Sequence, residues 1–354
     1  MIGEQKANHL AMSSASLFPA AALSPAPEKS ELVGIARLAS EGESLREGHN
    51  VEYFTLPAKS LLNRCVSLRK LPFTWTINPY RGCEFGCKYC YARYTHEFME
   101  MRDGAEFEQK IYVKQHTADL LRRELRKVKA NEPIALGTAT DPYQPAERRY
   151  EITRSIVEEF THHRGFELGI VTKSNLIVRD IDLLREVAKN NALSAHITVT
   201  TLDVELARIL EPRAPRPDLR IDAVRQLREA GIDVGVSCSP VLPGITDSPA
   251  NLEAVVSAAA AAGARHIFAG PLFLKPCSAA VFLPFLQQNF PHLVENYQRR
   301  YQERSFLPAS YGKRISQLIA CFRQKYGINC ADPRGTNYAE KWPAQGFDEQ
   351  MRLF

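Results

Sequence analysis

Cys83, Cys87 and Cys90 stand in the run Asn78-Pro79-Tyr80-Arg81-Gly82-Cys83-Glu84-Phe85-Gly86-Cys87-Lys88-Tyr89-Cys90-Tyr91-Ala92-Arg93, with the spacing C-x3-C-x2-C. Three thiolates on one short loop can hold an iron–sulfur cluster. A cubane cluster takes four cysteines, so three leave one iron without a protein ligand. An open metal position is where chemistry happens, as it is for zinc. Gly82 and Gly86 let the backbone turn tightly around a bulky group. Pro79 stiffens the approach, and Tyr89 can pack against a flat ligand group. The competing readings are a zinc knuckle, with His96 as the near fourth ligand, and three buried apolar cysteines. The other five cysteines (Cys65, Cys238, Cys277, Cys321 and Cys330) are each isolated. The ordinary reading of such residues is a small buried hydrophobe.

The pattern C-x3-C-x-aromatic-C resembles the signature of the radical S-adenosylmethionine (SAM) superfamily. The wider text Asn-Pro-Tyr-Arg-Gly-Cys…Tyr-Cys-Tyr-Ala-Arg is similar to one branch of it, the proteins related to spore photoproduct lyase that are often labelled DNA repair photolyases. The resemblance spans roughly residues 55 to 275. It implies that Cys83, Cys87 and Cys90 ligate a [4Fe–4S] cluster whose fourth iron chelates the amino and carboxylate groups of SAM. One electron, delivered by a donor such as flavodoxin or ferredoxin, would then cleave SAM to methionine and a 5′-deoxyadenosyl radical. That radical would abstract hydrogen from a substrate.

Further polar residues follow each apolar run. Thr138, Thr140 and Asp141 lie in Gly137-Thr138-Ala139-Thr140-Asp141-Pro142. Small hydroxyls plus an aspartate suit an ammonium group, and in the superfamily the matching strand end contacts the SAM amino group; the alternative is a turn capped by Asp141. In Thr172-Lys173-Ser174-Asn175, Lys173 can pair with the SAM carboxylate beside Ser174, or pack its stem on the sheet rim. Thr200 and Thr201 can bond the ribose or carboxylate, or cap the next helix. Arg213, in a proline-stiffened stretch, suits a phosphate or carboxylate at the mouth; pairing with Glu211 is the simpler account. Cys238 falls near the expected radical. In spore photoproduct lyases proper a cysteine near the end of the second strand returns a hydrogen atom, and here that region contains none. Cys238 can stand in as the donor, or be a buried inert thiol. The thymine-dimer reaction is therefore not carried over by the resemblance.

These residues need a frame. Strand-like runs occur at 73–77, 134–137, 168–172, 196–200, 234–237 and 266–269. Helix-period segments separate them: 154–162 after a cap at Thr153, 180–189, 218–230 closed by Gly231, and one opened by Asp247-Ser248-Pro249. Strands alternating with helices indicate a parallel sheet, open or barrel-like, with the active site at the C-terminal strand ends. The resemblance selects an α/β fold, a partial (β/α)6 TIM-like barrel. The expected organisation is a disordered N-terminal tail over 1–50, rich in Ala, Ser, Pro and Glu with a transient helix near 32–39. The barrel follows over 51–275, then a helical extension over 276–330 and a C-terminal tail over 331–354.

The chain has 354 residues, 45% of them hydrophobic, and a net charge of +5. That charge weakly favours an anionic partner. The basic text 120–129 reads first as a solvated helix face. No apolar run of about 18 residues offers a membrane span, and no signal-peptide layout follows the N-terminus, so the expected location is cytoplasmic. The end Gln350-Met351-Arg352-Leu353-Phe354 resembles the short peptide that binds the sliding clamp in bacterial repair and replication, with Gln350, Leu353 and Phe354 as its anchors. The expected function is a radical SAM enzyme acting on DNA. The alternatives are RNA, protein or a metabolite as substrate, or a non-catalytic iron–sulfur scaffold recruited by the clamp.

Overall fold

The computed structural model describes residues 32–48, 51–65, 71–101, 103–129, 132–302 and 304–328. Its strands are β1 Ser44–Gly48, β2 Val51–Leu56, β3 Leu62–Arg64, β4 Trp75–Ile77, β5 Tyr80–Arg81, β6 Lys110–Lys114, β7 Ile134–Leu136, β8 Glu167–Thr172, β9 Ala192–Thr198, β10 Asp233–Val241 and β11 Ile267–Pro271. The larger sheet runs β11-β10-β9-β8-β7-β4-β3. From β4 to β11 every pair is parallel, and β3 joins antiparallel at the edge. Neighbours in the sheet follow chain order with no reversal. That separates the arrangement from a doubly wound sheet, whose strand order turns back at a switch point. With β11 and β3 as unpaired edges, the fold is a partial (β/α)6 barrel.

Each crossover is built from a helix with one apolar stripe. Helix Ile152–Thr161 buries Ile156, Val157 and Phe160, and Ile181–Asn190 buries Leu184 and Val187. These meet the strand residues Ile134, Leu136, Leu168, Ile170 and Ile197 in one continuous core. Helix Pro249–Ala261 starts as expected: Pro249 occupies the first turn and Ser248 Oγ accepts from the Asn251 amide at 3.2 Å. The expected cap at Thr153 is corrected. The helix begins one residue earlier, and Thr153 Oγ1 donates to the Pro142 carbonyl from within it.

A second, four-stranded sheet, β1-β2-β6-β5, was not expected. It changes the reading of the N-terminal segment. Residues 34–40 form a helix and 44–48 a strand, so the tail expected over 1–50 is ordered structure from residue 34. Residues 1–31 and 329–354, including Gln350, Leu353 and Phe354, lie outside the described residues. Three helices follow the barrel, Pro276–Asn289, Val294–Tyr301 and Ala309–Lys325. The last packs on β11. Among the described residues no helix is long and apolar enough to cross a membrane.

Candidate active site

Both sheets grip the cysteine loop. β5 ends at Arg81, two residues before Cys83, and the Cys83 amide donates to the Phe107 carbonyl at 2.9 Å. Gly82 turns with φ +83°, and a Cβ there would fall 2.7 Å from the Lys110 carbonyl oxygen. Only glycine fits that approach. Thr140 Oγ1 and Gln144 Nε2 donate to the Gly82 carbonyl at 2.6 and 3.2 Å. The Glu84 carboxylate accepts from the Ala146 amide and the Tyr53 hydroxyl at 2.7 and 2.8 Å. Arg93 closes the far end on the Cys87 carbonyl and Glu108.

Cys83 and Cys87 are buried, and Cys90 keeps part of its surface. Burial pushes the Cys87 thiol up to about 12, with Lys173 opposing. The three sulfurs are near enough to feel one another's charge. His96 sits with Nε2 3.2 Å from the Lys110 carbonyl oxygen. Three soft donors on one rigid loop, near enough to feel one another's charge, fit a multi-iron cluster.

Beside the loop lies a buried polar knot that the sequence did not announce. Glu211 pairs with Arg220 at 2.5 Å, and both side chains are at most 1% exposed. The same carboxylate accepts from the Tyr89 hydroxyl and from Thr200 Oγ1. Burial works to raise the Glu211 carboxyl, but Arg220 and Lys173 outweigh it and hold it below the ordinary glutamate value. Arg220 also donates to the Pro215 and Thr198 carbonyls. The expected Arg213–Glu211 pair is thus replaced by Arg220–Glu211, and Arg213 instead donates to the Glu84 and Glu108 carbonyls.

Lys173 is half-buried, with its Nζ 5.7 Å from the centre of the Tyr89 ring. It makes no ion pair among the described residues. Burial works to lower its ammonium, while Cys87 and Glu211 outweigh that and hold it above the ordinary lysine value. Asp141 is committed elsewhere: it accepts from Thr172 Oγ1, the Lys173 amide and the Tyr143 amide at 2.6, 2.7 and 2.9 Å. The Tyr143 contact is the turn cap weighed as the alternative, while the bonds to Thr172 and Lys173 tie the ends of β7 and β8 together. Ser174 Oγ caps the short helix Asn175–Asp180 by accepting from the Leu176 amide. Thr138 Oγ1 meets the Asn78 amide, and the Thr138 carbonyl accepts from the Tyr91 hydroxyl. Cys238 is fully buried with Sγ 3.9 Å from the Thr200 carbonyl oxygen, and burial pushes its thiol up to about 12.

The structure therefore brings Cys87, Tyr89, Lys173 and Thr200 together around Glu211. Thr140 is placed under the loop, and Ser174 and Asp141 in the strand-end scaffold. Sequence reasoning named Glu211 only as a partner for Arg213, and it missed Arg220. A signal was present: Arg220 stands on the buried stripe Arg220, Ala223, Val224, Leu227 of its helix. A charge in such a stripe demands a buried partner.

Residues 77–253 match the radical SAM superfamily. A protein of Mycobacterium tuberculosis is 36% identical over 279 residues, which is 78% of this chain and 82% of that one. A protein of Methanocaldococcus jannaschii is 29% identical over 246 residues, 69% of this chain and 86% of that one. A Pseudomonas phage M6 protein named radical SAM Nalpha-GlyT isomerase is 26% identical over 190 residues, 53% of this chain and 37% of that one. Among solved structures, a spore photoproduct lyase variant with bound AdoMet and dinucleoside spore photoproduct superposes with a TM-score of 0.60 at 14% identity. It covers 84% of this chain and 86% of that one, a likeness of fold. The chain belongs to the radical SAM superfamily, and it is an enzyme whose cofactors are that family's [4Fe–4S] cluster and SAM.

Proposed function

We propose that Cys83, Cys87 and Cys90 hold the cluster, that Lys173 receives the SAM carboxylate, and that the substrate is DNA. The observation that carries this reading is the half-buried Lys173 ammonium, without an ion pair among the described residues, within reach of the Tyr89 ring and the field of Cys87. When bound and reduced, the cluster supplies the electron that cleaves SAM and yields the 5′-deoxyadenosyl radical.

The chain's own residues do the rest. Glu211 fixes the Tyr89 hydroxyl, which holds the ring beside Lys173. Asp141 holds the Lys173 backbone, which aims its side chain without spending the ammonium. Thr138 and Thr200 present the remaining strand-end oxygens. Cys238, on β10 with its Sγ 3.9 Å from the Thr200 carbonyl oxygen, serves as hydrogen donor in this reading. DNA as substrate is supported by the dinucleoside spore photoproduct bound in the similar fold and by the net charge of +5, which favours an anionic partner. A base in duplex DNA would have to leave the stack to reach this site.

The test uses reduced, cluster-loaded protein with SAM and deuterium-labelled oligonucleotides. The expected result is 5′-deoxyadenosine that carries deuterium. Unlabelled 5′-deoxyadenosine with every oligonucleotide would overturn DNA as substrate and leave the SAM chemistry standing. No 5′-deoxyadenosine at full iron content would overturn both.

A further inference from the structure

A small cavity lies outside the cysteine loop, on the side of β4, β5 and β6. It is lined by Asn63, Asn78, Tyr80, Arg81, Thr95, Lys114 and Ala139. Two of these are cations. Lys114 is 4% exposed, and no side-chain hydrogen bond or ion pair reaches it among the described residues. Arg81 is half-buried and its Nε is sealed from solvent without a partner. Neighbouring carboxylates are already engaged. Glu124 accepts the Leu61 and Leu62 amides at 2.9 and 2.8 Å. Glu147 accepts the Tyr80 hydroxyl at 2.5 Å and pairs with Arg179. No acidic residue lines the cavity.

A buried and a half-buried cation side by side, with Glu124 as the near acid already bound to the Leu61 and Leu62 amides, are unfavourable. Burial and the Arg81 charge together push the Lys114 ammonium down to about 7, against the pull of Glu124. Such a pair is stable once an anion joins it. Arg offers a planar fork and Lys a point charge, and the Asn63 and Asn78 amides stand at the same wall. Only an oxoanion with oxygens in several directions meets all of these at once.

We infer that Arg81 and Lys114 form a subsite for a phosphate group, reached past the part-exposed Asn63, Arg81 and Ala139. Ala139 belongs to the β7 strand end, so a ligand seated here reaches toward the candidate active site. The subsite does not depend on DNA being the substrate, because a phosphorylated small molecule brings the same chemistry.

Thermal unfolding of the full-length, cluster-loaded protein tests it, in sodium phosphate against sodium chloride at matched ionic strength. Phosphate should raise the Tm of the unsubstituted protein and of Lys114→Arg, and not that of Lys114→Met. In chloride, Lys114→Met should melt no lower than the parent, since it removes an uncompensated cation. If Lys114→Met does not melt cooperatively, Asn63→Leu, which fills the rim, takes its place and must lose the phosphate shift. Equal phosphate shifts in parent and variant, or none in the parent, would overturn the subsite. Binding of a single-stranded oligonucleotide, followed by fluorescence anisotropy, separates the sources. A several-fold loss in Lys114→Met with competition by inorganic phosphate assigns a nucleic-acid phosphate. A phosphate shift present in the parent and lost in Lys114→Met, with oligonucleotide binding unaltered by that substitution, assigns a small phosphorylated ligand.

Discussion

At the residue scale, the site is organised by a charge pair that never reaches solvent. Glu211 collects Arg220, Tyr89 and Thr200 in one place, and its field reaches Cys87 and Lys173. Removing one member of a buried pair strands the other, which typically costs about 3–5 kcal/mol. Glu211→Ala should lose that much in denaturant unfolding. The double variant Glu211→Leu/Arg220→Met should recover most of it, because an apolar pair of similar volume is often neutral or better. Recovered stability with SAM binding still weakened would separate the fold's need for the pair from the site's need for Tyr89. The cysteines and Lys173 were legible as candidates because their types and positions suggest chemistry by themselves. Glu211 was not, because a glutamate after a helix looks like a surface residue until its partner, nine positions on and on another helix, is folded over it.

At the element scale, the six parallel strands were legible because each is an apolar run ended by small polar residues, and burial on both faces forces that text. The second sheet was not. Its strand β5 has two residues, and β2 pairs with β6 across the whole cysteine loop. Such pairing is written in no local period. The helices that cross over are joined by engaged carboxylates, of which Glu159 is one. It receives Arg122 Nε and Nη2 at 2.9 and 2.6 Å and sits 2.9 Å from His163 Nε2, linking helix Thr117–Glu124 to Ile152–Thr161. Burial works to raise this carboxyl, but these partners outweigh it and hold it below the ordinary glutamate value. A depressed folded pKa gives stability that is full above the unfolded value, about 4.3, and lost as pH falls through the folded one. The stability gap between the parent and Glu159→Gln, read by urea unfolding, should therefore be open at neutral pH and close as pH drops below about 4. A gap that is unchanged or widens on acidification would mean the carboxylate is not engaged.

At the scale of the molecule, the expected boundary at residue 275 is not a boundary in the core. Ile315, Ile319 and Phe322 of the last helix belong to the same core as the barrel strands. A second core joins Cys83, Phe85, Cys87 and Tyr89 of the loop to Phe282, Leu286, Tyr297 and Tyr301 of the C-terminal helices. Ser278 Oγ donates to the Cys90 carbonyl at 2.8 Å, and helix Pro276–Asn289 packs on the turn Tyr91–Arg93 that follows it. The C-terminal helices thus act as the outer wall of the cysteine loop, so under the proposed ligand assignment a change there should be felt at the iron. Phe282 is fully buried, with ring centroids 5.4 Å from Tyr297 and 5.9 Å from Phe285. Phe282→Ala should destabilise the protein by about 3–5 kcal/mol. It should also speed iron loss to a chelator under conditions where the protein remains folded by circular dichroism. The control is Ile156→Val, equally buried but in the core behind β7 and β8 and expected to cost about 0.5–1.5 kcal/mol; it should leave the rate of iron loss unchanged. Equal iron loss in both would mean that the helices merely stabilise the fold, and the link between the C-terminal wall and the loop would fall.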